Sequence, residues 1–227
     1  MRFEECVFRT IKYLVRYPDH FEEGKQFPVL ICIHGAGGRG GSYEDFKGHS
    51  EFTISGKMEG FPFITVAPMC PKVDGTWFDY FETLKDFIRH IAKEPFTDPA
   101  RIYAMGGSMG GYTTWELAMS MPEYFAAIVP ICGGGMYWNA GRLKNVPVWA
   151  FHGKLDPTVL VEESEKMVNA VNKRGGCAKL TVYPEAKHDA WTPTYSNPAV
   201  YEWLLSHTNQ NAEQLVNEYS GNMKDFG

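Results

Sequence analysis

Ser108, Asp156 and His188 lie far apart in the chain, yet their types are those that acyl transfer by a serine uses, and their order is the one expected where the serine sits on a strand-to-helix turn of a doubly wound sheet. Ser108 stands at the centre of Gly106-Gly107-Ser108-Met109-Gly110, a G-x-S-x-G stretch. A short β-rich run, Arg101-Ile102-Tyr103-Ala104-Met105, precedes it, and helical spacing runs from Met109 to Ser120 before Pro122. On so tight a strand-to-helix turn the two backbones nearly touch, so small residues are needed two places either side. The turn lifts the hydroxyl clear of the sheet, where a base can reach it.

A serine hydroxyl at neutral pH needs such a base, and the base needs an acid to hold its tautomer. In an open parallel sheet these groups collect beyond the carboxyl ends of the strands. Val148-Trp149-Ala150-Phe151 runs into His152-Gly153-Lys154-Leu155-Asp156, and Leu180-Thr181-Val182-Tyr183 runs into Pro184-Glu185-Ala186-Lys187-His188. Asp156 is therefore the candidate acid and His188 the candidate base. Glu185 and Asp189 are rival acids, but both are too close in sequence to His188 to reach its far nitrogen easily. The chain has seven histidines; among the others, His20, His49 and His90 precede the serine in loop or helix segments, and His207 lies beyond the last helix. His152 precedes the acid and is expected to pack beneath the loop.

An oxyanion also needs donors. His34-Gly35-Ala36-Gly37-Gly38 directly follows the apolar run Val29–Ile33, and glycines there let backbone N–H groups point at a ligand oxygen. The Met109 amide is the expected first donor, and Ala36 or Gly37 the second. Losing one such donor costs on the order of 10²–10³ in rate. No Gly-Lys-Ser/Thr follows these glycines, which argues against a phosphate loop.

The elements that must hold these groups alternate along the chain. Apolar β-rich runs alternate with amphipathic ones, as in a mostly parallel sheet with helices on both faces. Phe8 to Val15 alternates and reads as an antiparallel edge strand. Val29–Ile33, Phe63–Ala67, Ile102, Ala127–Ile131, Val146–Phe151 and Lys179–Tyr183 read as further strands. Phe78, Phe81, Leu84, Phe87, Ile88 and Ile91 recur at helical spacing. Helices are also expected over about Glu162 to Lys173 and from Pro198 through Leu205. Residues 1–206 read as one domain. Residues 207–227 read as a polar C-terminal tail that either forms a weakly docked helix or frays.

The bulk properties narrow the partners. The 227 residues carry a net charge of -5 with no basic patch, which argues against nucleic acid. A chain this long buries roughly 70–75% of the surface it exposes when unfolded. No apolar run approaches the ~18–20 residues that span a bilayer, and the start MRFEECVFRT does not read as a signal peptide. The five cysteines are odd in number and form no C-x-x-C pair, which fits a reducing cytoplasm. No Cys and His residues fall at metal-ligand spacing, so no metal and no other cofactor is expected.

Taken together, these stretches resemble the α/β-hydrolases. Within them the resemblance is to bacterial esterases of the predicted-peptidase, phospholipase/carboxylesterase and dienelactone-hydrolase-like kind. It is carried by HGAGGRG (34–40), APMCP (67–71) with Trp77, GGSMGGYTTWELA (106–118), VPICGGG (129–135), FHGKLDP (151–157) and HDAWTPTY (188–195). The resemblance implies a doubly wound α/β-hydrolase fold, with Ser108 as nucleophile, Asp156 as acid and His188 as base. Dienelactone hydrolases proper use a cysteine at the elbow, where this chain has serine.

Many hydrolases of this fold insert a helical cap before the strand that leads to the acid. Here that gap is only Cys132 to Asn145, too short for a cap domain, so a shallow and open site is expected. Trp77, Tyr137, Trp138 and Trp191 fall in loops expected around Ser108, where aromatics stack on a sugar or phenolic acyl group. The expected activity is that of a serine carboxylesterase acting on short-chain or carbohydrate-linked esters of acetyl or feruloyl type. The partner is then a small-molecule or oligosaccharide ester. Two alternatives stand beside it: a serine peptidase of the same fold, and a non-catalytic ligand-binding protein on a hydrolase scaffold.

Overall fold

Phe27–Ile33 is apolar at every position, and such a run is stable only where both faces of a sheet are covered. It forms β3 near the middle of an eight-stranded sheet. The computed structural model describes residues 2–54, 57–210 and 212. The other strands are β1 (Arg2–Phe8), β2 (Ile11–Tyr17), β4 (Ile64–Met69), β5 (Thr97–Gly107), β6 (Ala127–Ile131), β7 (Val148–Gly153) and β8 (Ala178–Tyr183). Their order across the sheet is β1-β2-β4-β3-β5-β6-β7-β8. β1 and β2 pair antiparallel, as do β2 and β4, and every later pairing is parallel.

The helices are α1 (Tyr43–Lys47), α2 (Ser50–Thr53), α3 (Phe81–Ile91), α4 (Met109–Ser120), α5 (Val161–Lys173), α6 (Trp191–Tyr195) and α7 (Pro198–Leu205). Alternation along β3 divides the core in two. Val29, Ile31 and Ile33 face one layer with Leu84 and Phe87 of α3, Trp115 of α4 and Met167 of α5. Leu30 and Cys32 face the other, with Phe46 of α1, Phe52 of α2 and Tyr201 and Leu204 of α7. Helices thus cover both faces, and the chain has the α/β-hydrolase fold. None of the described helices is long and apolar enough to cross a membrane.

Several elements differ from the sequence expectation. The alternating run Phe8 to Val15 is not one strand. It folds back between Phe8 and Ile11, which pair across the turn, with Arg9 at φ 52°. The edge strand is therefore β1. The Arg9-Thr10 turn lacks the Asn-Gly or Asp-Gly signature that marks such a hairpin in sequence. Phe78 does not continue the buried face of α3. It lies in a 3₁₀ turn over Trp77–Tyr80 and is 49% exposed, stacked on Phe81. Between β6 and β7 a 3₁₀ stretch, Tyr137–Leu143, packs on α5 and α4. Of the expected tail, His207 and Asn209 dock on β5: His207 O accepts from Tyr103 Oη at 2.8 Å, and Asn209 N donates to Ala100 O at 2.8 Å. Residues 211 and 213–227 lie outside the described part.

Candidate active site

Small residues at the end of β5 let strand and helix close on each other. A Cβ on Gly110 would stand 1.9 Å from the Ile33 carbonyl oxygen, so no larger residue fits without moving β3 or α4. Ser108, the residue before α4, is held at φ 58°, ψ −120°. That is a region a side chain rarely occupies, at a cost of ~1–3 kcal/mol. Its N–H donates to Ile131 O at 2.9 Å, and its own carbonyl accepts from Tyr112 N in the first turn of α4 at 3.0 Å. The side chain is left partly exposed at the carboxyl edge of the sheet.

The loops after β7 and β8 bring the other two groups to it. Leu155 N donates to Ala186 O at 2.9 Å, tying one loop to the other. His188 Nε2 lies 2.9 Å from Ser108 Oγ, and His188 Nδ1 lies 2.7 Å from Asp156 Oδ2. A carboxylate only accepts, so Nδ1 carries the hydrogen and Nε2 is left to accept from the serine hydroxyl. The other carboxylate oxygen, Oδ1, accepts from Thr158 N at 2.8 Å and Val159 N at 3.0 Å. Burial works to raise the Asp156 carboxyl, but the bonds from His188, Val159 and Thr158 outweigh it and hold the group below its ordinary value.

The loop after β3 is braced from beneath by His34. Its Nε2 accepts from Cys70 N at 3.0 Å, so its hydrogen is on Nδ1, which donates to Gly35 O at 2.6 Å. Burial pushes this imidazole down to about 4, so it stays neutral. Gly38 lies against the ring, where a Cβ would come within 2.6 Å of it. Residues Ala36–Gly38 make one 3₁₀ turn, whose first N–H groups have no partner within the turn. Ala36 and Gly37 line the cleft together with Ser108. Met109 is the first residue of α4, immediately after the serine.

The cleft is about 550 Å³. His34 to Gly38, Gly107 and Ser108 line it together with His188, Trp191 and Tyr195. The Trp191 ring stands edge-on to the His188 ring at 5.3 Å. Of the four aromatic residues expected here, only Trp191 lines the cleft. Trp77 is fully buried, and its Nε1 donates to His34 O at 3.1 Å, so it supports the loop from inside. Tyr137 and Trp138 stand away from the cleft because their 3₁₀ stretch is drawn to α5: the Lys166 ammonium sits 5.5 Å from the Tyr137 ring, and Arg174 Nη2 donates to Trp138 O at 3.2 Å. Glu185 is exposed, and Asp189 Oδ1 accepts from Thr192 N of α6 at 2.9 Å.

Sequence reasoning missed five lining residues, His49, Ser50, Glu51, Thr158 and Tyr195. Two carried a readable signal. Asp156-Pro157-Thr158 is a side-chain-to-backbone turn motif, and Tyr195 follows Trp191 by four residues, the spacing that shares one helix face. Cys132 Sγ, a ring nitrogen of His152 and a carboxylate oxygen of Asp156 also lie within 4.8 Å of one another, which their sequence spacing did not reveal. The Cys132 thiol donates to His188 O at 3.1 Å, and burial pushes it up to about 12, so it remains protonated.

The sequence matches the model of the Dienelactone hydrolase family over residues 74–220. Among solved structures, a thermostable esterase is 30% identical with a TM-score of 0.78, over 91% of this chain and 63% of that one. Dipeptidyl-peptidase 5 of Porphyromonas gingivalis is 22% identical over 75% of this chain and 32% of its own length. Feruloyl esterase B of Piromyces equi is 26% identical over 66% of this chain and 30% of its own length. The chain thus spans about a third of these two curated relatives. With the match covering more than half of its residues, the chain belongs to the dienelactone hydrolase family.

Proposed function

We propose that the protein is a serine carboxylesterase. The observation that carries this reading is the unbroken series Ser108 Oγ, His188, Asp156, joined at 2.9 and 2.7 Å. Ser108 attacks the ester carbonyl while His188 Nε2 takes its proton. Asp156 stabilises the imidazolium that results. The amides of Met109 and of Ala36 or Gly37 hold the oxyanion. His188 then returns the proton to the leaving alcohol, and water hydrolyses the acyl-enzyme by the same route.

Short-chain or carbohydrate-linked esters, of acetyl or feruloyl type, are the proposed substrates. The short Cys132–Asn145 connection, which leaves the Ser108 side chain partly exposed, and the Trp191 ring in the cleft both favour acyl groups presented from a larger molecule. The feruloyl esterase among the relatives agrees with this choice. The dipeptidyl-peptidase relative favours a second reading, amide cleavage by the same residues. A cytoplasmic location is proposed from the five unpaired cysteines.

Three measurements test the proposal. Ser108→Ala should lower turnover of p-nitrophenyl acetate by on the order of 10⁴ or more and abolish labelling by a fluorophosphonate; retention of most activity would rule out the assignment. Matched ester and amide substrates separate the two readings. A panel of acetylated and feruloylated oligosaccharides then identifies the acyl group.

A further inference from the structure

The histidine at the end of β7 is not consumed by the series above. His152 is fully buried, and its Nε2 lies 2.9 Å from Val159 O and 3.4 Å from Asp156 Oδ2. Both neighbours are acceptors, so this nitrogen carries a hydrogen. Its main acceptor is the carbonyl of Val159, the residue whose own N–H holds Asp156 Oδ1. The other ring nitrogen, Nδ1, lies 2.8 Å from Ser164 Oγ on α5, and Ser164 Oγ lies 2.8 Å from Gly133 O. The imidazole therefore links α5, through Ser164, to the peptide that grips the candidate acid. A loop peptide gripping a buried carboxylate keeps its geometry only if its other end is fixed as well.

We infer that His152 is a positioning residue for Asp156: anchored on Ser164, it donates to Val159 O and so fixes the loop whose N–H groups aim the carboxylate at His188. The inference rests on the serine-esterase reading. The titratable groups that face Asp156 are His188 from the loop after β8, His152 from β7, Cys132 after β6 and Tyr112 from α4. Loss of the His152 donor lets the carboxylate shift. A shifted carboxylate stabilises the His188 imidazolium less well.

Side-chain geometry supplies the test. A glutamine amide nitrogen can take the place of Nε2, whereas an asparagine amide reaches only the Nδ1 position. His152→Gln should keep kcat on p-nitrophenyl acetate within about 3-fold. His152→Asn should lower kcat by roughly 10–100-fold with KM little changed, and its acid limb of kcat/KM should move to lower pH. Should His152→Asn fail to fold, Ser164→Ala carries the test, with a smaller kcat loss and a shift of the same sign. The inference is overturned by equal activity in the Gln and Asn variants, or by an acid limb that moves to higher pH at unchanged kcat. That last result would mean the ring only polarises the carboxylate. Fluorophosphonate labelling of the unmodified protein tests the serine-esterase reading separately, so its failure is not confused with failure at His152.

Discussion

Two opposing effects meet at Asp156. Burial disfavours its charge, while the bonds from His188, Val159 and Thr158 favour it and prevail. A carboxylate held below its ordinary range stays ionised throughout the interval in which an imidazole titrates. Protonation of this carboxylate then adds nothing to the acid limb of activity. A plot of log kcat/KM against pH should fall on the acid side with a slope no steeper than one. A slope approaching two would show that the carboxylate titrates on the same limb. Asp156→Asn keeps the size of the side chain but can offer an N–H where Nδ1 needs an acceptor. It should lower kcat on the order of 10⁴-fold by turning His188 to the wrong tautomer, while fluorescence and circular dichroism stay those of the folded protein. A loss of less than 10-fold would mean that another group orients the imidazole.

The loop after β3 shows how an element is made rigid without regular structure. Neutral His34 ties Gly35 O to Cys70 N, and Trp77 Nε1 holds the His34 carbonyl from the other side. Trp77→Phe removes that donor and leaves a buried carbonyl and a void. It should destabilise the protein by roughly 2–4 kcal/mol in urea unfolding and lower kcat by about 10-fold or more through a loosened loop. Trp138→Ala, at a residue 64% exposed, should change stability by less than about 0.5 kcal/mol and leave ester turnover unaltered. The reverse result would return Trp138 to the substrate and Trp77 to mere packing. The contrast marks what the sequence can yield. The positions of Ser108, Asp156 and His188 are legible because each follows a strand, marked by an apolar run in β5 and β7 and by alternation in β8, and the topology of the fold brings strand ends together. The role of Trp77 is not legible, since a tryptophan in a loop reads alike whether it faces a cleft or a core. The wall formed by α2 is equally hidden, because four residues, Ser50–Thr53, are too few to show a period. The β1–β2 hairpin is missed for a third reason: Arg9 adopts a positive φ that its residue type does not announce.

For the whole molecule, stability against pH is a sum of groups pulling in different directions. His34 is lowered from 6.5 to about 4 by burial, so the unfolded chain binds a proton there that the folded protein refuses. Its contribution is fully present above pH 6.5 and is lost as pH falls towards 4, by roughly 3 kcal/mol over that interval. His49 works the other way. Its hydrogen bond with Glu51 raises it, so its contribution is present below the ordinary histidine value and is lost as pH rises through the folded one. Glu116, raised by burial on α4, likewise favours the acid side. The net curve therefore understates what the His34 brace costs to protonate, and the clean measure is a difference. His34→Gln keeps an acceptor for Cys70 N but cannot take up a proton. Its stability relative to the unmodified protein, from urea midpoints, should improve steadily as pH falls from about 6.5 to 4 and be constant above 7. A difference that is flat across the whole range would mean that His34 is as easily protonated folded as unfolded. The loop that is to hold the oxyanion would then not be braced by a neutral ring.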